Sequence, residues 1–486
     1  MNGISILLIL AGYFAMLLII SRLTSKNGSN DAFFSGNRQS PWWLVAVGMI
    51  GTSISGVTFV SVPGMPTHIG MTYMQMVLGF AVGYIIIARL LLPLYYKLNL
   101  ISIYKYLGER FGLRSYKTGA LFFVISKITG AAARLFLVVL ILQSLVFDAW
   151  GVPFWVTSVG IVALIWIYSR RSGIHTIVRT DAAQTVILLA ALALIIYEVT
   201  QSMGISIDES VRTVAESPYS RIFVFDDWFS TQNFFKQFFS GVFITIVMTG
   251  LDQDMMQKNL TISTLKASQK NMYIYGSAFI PVNLLFLSLG VLLVYFAQSK
   301  GIAIPAKGDE ILPLLATNYL GATVLFLFCI GIVAAAFSSA DSALTSLTTS
   351  FCLDILEVEK MPERKSVRAR KTVHIAMCAA FVAIILIIRG IDNTSIIDAI
   401  YTMAGYTYGP LLGLFAYGLF TKGIPRDKAV PYIAVATPLL CGLLSYLSLS
   451  LLNYRLGYEL LILNGALTFI LLALSARGNS NKMIPV

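Results

Sequence analysis

Apolar stretches of about twenty residues recur along this chain, and they constrain its fold more than anything else. A helix rises 1.5 Å per residue, so about 20 apolar residues cross a hydrocarbon layer of roughly 30 Å. Thirteen runs meet that length, at 4–22, 42–61, 72–96, 118–147, 152–169, 181–200, 234–252, 273–297, 320–350, 372–389, 396–420, 428–451 and 456–476. With 57% of the 486 residues hydrophobic and 12% charged, a soluble class is excluded. The expectation is an all-α membrane protein with about thirteen spans in a single domain covering 1–486.

Basic residues test that count, because short cytoplasmic loops are enriched in them. With the N-terminus outside and the C-terminus in the cytoplasm, inward segments hold 25 of the 35 lysines and arginines and outward segments hold 7. Arg89, Lys127 and Arg134 fall inside helices. The net charge of +12 is thus largely an inner-face bias, and no nucleic-acid partner is expected. The expected setting is the inner (plasma) membrane, with the bilayer and a small-molecule solute as partners and no obligate protein partner. The first run lacks a basic leader and a small-residue cleavage site, so it is read as an uncleaved span. The four cysteines show no metal-type spacing and are expected to be free packing thiols. The outward loop at 201–233 is acidic and long enough for a short interfacial helix.

Two spans carry interruptions. Span 2 contains GMIGTSISG (48–56) and SVPGMP (61–66), and span 7 contains VMTG (247–250). Each begins a group of five, 2–6 and 7–11. Five is odd, so the groups cross the membrane in opposite senses. That is the pattern of an inverted-repeat carrier, in which broken helices line a site near the midplane. The core repeats then cover about 42–200 and 234–420, with peripheral helices at 4–22, 428–451 and 456–476.

Span 9 places AAAFSSADSALTSLTTSF (334–351) in an otherwise apolar stretch. Ala335, Ser338, Ser339 and Ser342 follow i, i+3, i+4, i+7 and form one stripe, flanked by Asp341. Intramembrane carboxylates are costly and functional by default. Na⁺ takes oxygen ligands, and hydroxyls together with carbonyls freed at a helix break supply them. Gly51 to Ile54 lie about 14–18 Å from the inner end of span 2, near its middle, facing the level of Ser338 and Ser339. Asp181 begins span 6 in the same inner half, so Asp181, Asp341, Ser338 and Ser342 form a second candidate cation site.

Together these residues resemble the sodium:solute symporter family, from about Phe33 to Lys422. The resemblance rests on FFSGNRQSPWW (33–43), GTSISGVTFVSVPG (51–64), LPLYYKLNLISIYKYLGERFG (92–112), RTDAAQ (179–184), GLDQDMMQK (250–258) and the span 9 motif followed by CLDIL. It implies a LeuT-type five-plus-five core and Na⁺-driven uptake by alternating access, with Na⁺ as the coupling ion. It implies a main Na⁺ site on the carbonyls of Gly51, Ile54 and Ala335 and the hydroxyls of Ser338 and Ser339. The second Na⁺ site of some branches falls on Ser338, Asp341, Ser342 and Asp181. The sialic-acid branch has serine where Asp341 stands; the added carboxylate either strengthens cation binding or lets a proton take part.

For the solute, the resemblance points to Ser53, Ser55 and Thr58 on span 2 and to Tyr73 and Gln75 on span 3. Sugar-type residues on spans 7 and 11 are replaced by Thr245, Met248 and Tyr401, which disfavours a galactose-type sugar. Span 4 carries Lys127 and Arg134, seven residues apart and on one face. A guanidinium near the midplane can hold a carboxylate by two parallel hydrogen bonds. Sialic-acid carriers place such an arginine at the position of Gly130, one turn away. The expected cargo is therefore an organic anion, such as a sialic acid or another carboxylate, with a sugar or other neutral solute as the alternative. Enzyme function is not expected, since HExxH, GxSxG and GxxxxGK[ST] are all absent. A channel or a sensor on the same fold is the remaining rival class.

Overall fold

The computed structural model describes residues 3–24, 30–170, 173–390, 396–454 and 456–479. Lys26, Arg171, Arg455 and Lys482 from the charge tally lie outside them. Among the described residues eight helices are long and apolar enough to cross a membrane, or ten when each bent pair counts as one span. Of the other three expected spans, Phe154–Ser169 and Leu460–Ser475 are helices of 16 residues, short of the length a perpendicular crossing needs, and Ile396–Phe420 has 25 residues with Pro410 inside. The count of thirteen therefore stands as ten by length and composition.

Helices overrun the apolar stretches. Span 6 runs Gly173–Met203, span 8 Leu265–Ser299 and span 10 Glu363–Arg389. Hydropathy marks only the part that lies in hydrocarbon; once nucleated, a helix propagates through polar residues of good propensity. The basic run EVEKMPERKSVRARK (357–371), which belongs to the inward basic residues, accordingly supplies the first turns of span 10 from Glu363 onward. At its start Glu357 bridges Lys117 of span 4 at 2.6 Å and also pairs with Lys360, and these bonds push its carboxyl down to about 2.

Both interrupted spans are broken. Trp42–Ser53 and Gly56–Ile69 meet at 59°, and Phe234–Gly250 and Gln253–Leu260 at 62°. Ile54 takes φ −84° and ψ 84°, outside the helical range, and Ser55 caps the outer half by accepting from Thr58 N. In span 7 a π-turn at Ile246–Gly250 precedes the break, and Asp252 caps the inner half through the amides of Asp254 and Met255. Matching breaks at the head of each five-helix group give the inverted-repeat core its symmetry.

Spans 3 and 7 approach to backbone contact. A Cβ on Gly79 would stand 2.1 Å from the Phe238 carbonyl oxygen, and one on Gly241 would stand 2.2 Å from that of Met76. Small residues let membrane helices close in this way where no hydrophobic effect drives them together. The loop at 201–233 carries the expected helix, Ile207–Glu216, started by a capping box between Ser206 and Glu209. One departure from an all-helical chain is a two-stranded antiparallel pairing of Gly423–Pro425 with Ala476–Asn479. All four cysteines are buried and free.

Candidate functional site

The break in span 2 and the polar stripe of span 9 meet. The Thr52 hydroxyl lies 3.4 Å from that of Ser338, and Gly51, Ile54, Ala335 and Ser338 are all buried. Gly51 sits so close to span 6 that a Cβ there would be 2.0 Å from Thr185 Oγ1. A helix that stops at Ser53 leaves its last carbonyls without intrahelical partners. At the span 7 break such carbonyls are satisfied internally: Tyr95 OH donates to Gly250 O and Tyr104 OH to Leu251 O, both at 2.8 Å. At the span 2 break no side-chain donor reaches the carbonyl of Gly51 or Ile54 among the described residues. Ser338 gives its proton to Asp181 Oδ1 at 2.9 Å, and Ser339 gives its proton to Ala336 O at 3.0 Å. Each hydroxyl keeps its lone pairs for a cation. The donor set expected for the main Na⁺ site thus fits a hard cation.

The second cation site is assembled and then filled by a side chain. Asp181 accepts from Ser338 at 2.9 Å and from Ser342 at 3.1 Å, while Asp341 accepts from Tyr168 OH at 2.9 Å and from the Ser342 amide at 2.6 Å. Lys258 Nζ, however, lies 2.7 Å from Asp181 Oδ2, with both side chains almost wholly buried. The charge tally counts Lys258 as an inner-loop cation; the structure puts it in the protein interior.

Above this layer lies a cavity lined by Thr52, Ser53, Lys127, Gly130, Arg134, Thr245, Met248 and Ser339, and further by Tyr84, Tyr275, Asp252, Asp254 and Tyr408. The candidate ion ligand Ser339 and the candidate solute residues Ser53, Arg134, Thr245 and Met248 therefore share one space. Ser53 Oγ and Tyr275 OH are 2.5 Å apart, and Tyr275 OH is 2.9 Å from Tyr84 OH. Lys127 is committed: its Nζ is 3.1 Å from Asp252 Oδ2 and 2.8 Å from Asp254 Oδ2, the latter contact off the hydrogen-bond direction. Tyr408 OH also donates to Asp252 at 2.7 Å. Arg134 is half-buried, and no carboxylate pairs with it among the described residues.

Four of the expected solute residues lie elsewhere. Ser55 is the cap at the helix break, and Thr58 sits one turn further out. Tyr73 lines a separate outer pocket with His68, Gln232 and Lys307. Gln75 is fully engaged in anchoring the outward loop, donating to Gln232 O at 2.9 Å and accepting from Val224 N at 3.0 Å. The Tyr401 side chain lies outside the described residues, although its neighbours Ile400 and Met403 line the cavity. Sequence reasoning missed Lys258, Asp252, Asp254, Tyr275 and Tyr408. The signal available was GLDQDMMQK directly after an interrupted helix, with two acids and a lysine beside a break.

The sequence profile of the sodium:solute symporter family matches residues 33–430. The chain belongs to the sodium:solute symporter family. This symporter is 28% identical over 444 residues to the sodium/sialic acid symporter of Proteus mirabilis, covering 88% of this chain and 87% of that one. It is 24% identical over 436 residues to the human sodium/iodide cotransporter, covering 84% of this chain and 65% of that one. Its fold matches a solved Na⁺-coupled sialic acid symporter in a substrate-bound outward-open state, with a TM-score of 0.82, 22% identity and coverage of 97% and 98%. The symporter is therefore a LeuT-type, multi-pass membrane transporter that moves solute with Na⁺.

Proposed function

We propose that this symporter imports a small organic anion, with Arg134 as the group that receives the solute's carboxylate. The observation that carries the reading is the difference between the two cations of the cavity: Lys127 is paired with Asp252 and Asp254, whereas Arg134 lines the same cavity with no carboxylate within ion-pair distance among the described residues. A half-buried guanidinium facing a binding space suits a planar anion that it can grip by two hydrogen bonds. Ser53 and the Tyr275–Tyr84 pair offer hydroxyls to the polar remainder of the solute. The two relatives above are named for sialic acid and iodide, both anions. The coupling ion is held by the carbonyls of Gly51, Ile54 and Ala335 and the hydroxyls of Ser338 and Ser339, at the floor of the same cavity. The setting is the inner (plasma) membrane, with the N-terminus outside and the C-terminus in the cytoplasm.

A thermal-shift screen of the detergent-purified protein against sialic acids, monocarboxylates, sugars and amino acids, in Na⁺ and in K⁺, tests this. The expected result is a Na⁺-dependent rise with an acidic solute that Arg134→Ala weakens by about 10- to 100-fold in affinity. That range corresponds to the loss of one net hydrogen bond to a charged group, about 1.5–3 kcal/mol. A rise with a neutral sugar or amino acid that ignores Arg134 would remove the anion and keep the symporter.

A further inference from the structure

Lys258 comes from the last turn of Gln253–Leu260, the second half of broken span 7, and crosses to Asp181, about two turns into span 6. Its Nζ lies 2.7 Å from Asp181 Oδ2, and the two side chains are 1% and 0% exposed. It also donates to Thr52 Oγ1, on the inner half of broken span 2. The same carboxylate takes Ser338 on Oδ1 at 2.9 Å and Ser342 on Oδ2 at 3.1 Å, with the Thr52 hydroxyl a further 3.1 Å neighbour. Lys258, Ser342 and Thr52 crowd Oδ2, while Ser338 takes Oδ1. The one ammonium thus ties both broken helices to span 6 and stands against the oxygens that a second Na⁺ would use.

A Na⁺ on those oxygens would share one carboxylate with a fixed positive charge at contact distance, in surroundings that screen the repulsion poorly. Expelling Lys258 would strand an ammonium in the protein interior. The residues expected to make a second Na⁺ site therefore do not fit a second ion here. We infer that Lys258 is a tethered counter-cation in the second cation position, so that the symporter couples a single Na⁺ and a neutral residue at 258 opens a second Na⁺ site. This rests on the Na⁺ site placed above at Gly51, Ile54, Ala335, Ser338 and Ser339. Asp341, held by Tyr168 and the Ser342 amide, stays beside the pair.

The test is equilibrium binding of radioactive ²²Na⁺ to the full-length purified protein without solute, with choline replacing Na⁺ as the balance. Wild type is expected to saturate at one Na⁺ with a Hill coefficient near one, Lys258→Arg likewise, and Lys258→Met at two. Two ions in wild type, or one ion in a folded Lys258→Met, would overturn the inference. If Lys258→Met does not fold, Lys258→Gln, neutral but still able to donate to Asp181, takes its place and is expected to bind two Na⁺. Loss of all Na⁺ binding in a folded neutral variant would place Lys258 inside the coupling site and sink the idea as well. Ser339→Ala separates the two readings: wild type binding one ion that Ser339→Ala leaves intact removes the main site, not the tethered cation.

Discussion

At the residue scale, the site depends on which polar atoms the fold has already satisfied. Ser338 and Ser339 both spend their protons within the protein, so the lone pairs they turn outward suit a cation and not an anion. We expect Ser339→Ala to abolish Na⁺-dependent uptake into proteoliposomes while leaving the thermal midpoint in K⁺ within a few degrees of wild type; retained Na⁺ dependence would exclude this hydroxyl. Lys127 has a different task. It is 9% exposed against Asp252 at 2% and Asp254 at 1%, and truncating it leaves two acids without their counter-charge. Lys127→Met should destabilise the protein by about 3–5 kcal/mol, as breaking a buried pair does. Denaturation of the variant in detergent checks this, and adding Asp254→Asn should restore part of the loss. Arg134 and Lys127 are alike in the sequence; only their neighbours distinguish the proposed anion receptor from the cation paired with Asp252 and Asp254.

At the element scale, the two broken spans use one device for different ends. Breaking a helix frees carbonyls, and in lipid each freed carbonyl must find a partner. Tyr95 and Tyr104 provide those partners at span 7, which leaves the Gly250 and Leu251 carbonyls satisfied within the protein. Among the described residues no such tyrosine reaches Gly51 or Ile54 of span 2, which leaves its break open to an ion. The joint between spans 3 and 7 depends on Gly79, whose missing side chain admits the Phe238 carbonyl. Gly79→Val forces the helices apart and should cost about 1–3 kcal/mol or more in overpacking. A thermal midpoint equal to wild type would show that the contact is looser than described.

At the scale of the whole molecule, the inverted halves make the two sides of the membrane inequivalent only through charge and loops. On the orientation proposed from the basic residues, the capped helix Ile207–Glu216 faces outward and the first turns of span 10 face the cytoplasm. Cysteine introduced at Ala215 should react with a membrane-impermeant maleimide on intact cells. Cysteine at Arg364 should react only after permeabilisation. The native thiols are buried and add little background. The opposite labelling pattern would invert the assignment and with it the direction of import.

Local properties determined much of this protein before any tertiary contact. Apolar length marked where helices cross, glycines in GMIGTSISG and VMTG marked where two of them break, and the spacing of Ala335, Ser338, Ser339 and Ser342 put an oxygen stripe on one face. Each follows from the geometry of a single helix and its cost in lipid, so neighbours in sequence suffice to read it. Pairings between distant segments were decided only by the tertiary structure. Lys258 reads as one more basic residue at the inner face, yet the fold carries it onto Asp181; Gln75 reads as a solute contact, yet the outward loop claims both ends of its amide. A charge or an amide has the same chemistry wherever it stands, and only packing decides which partner comes within reach.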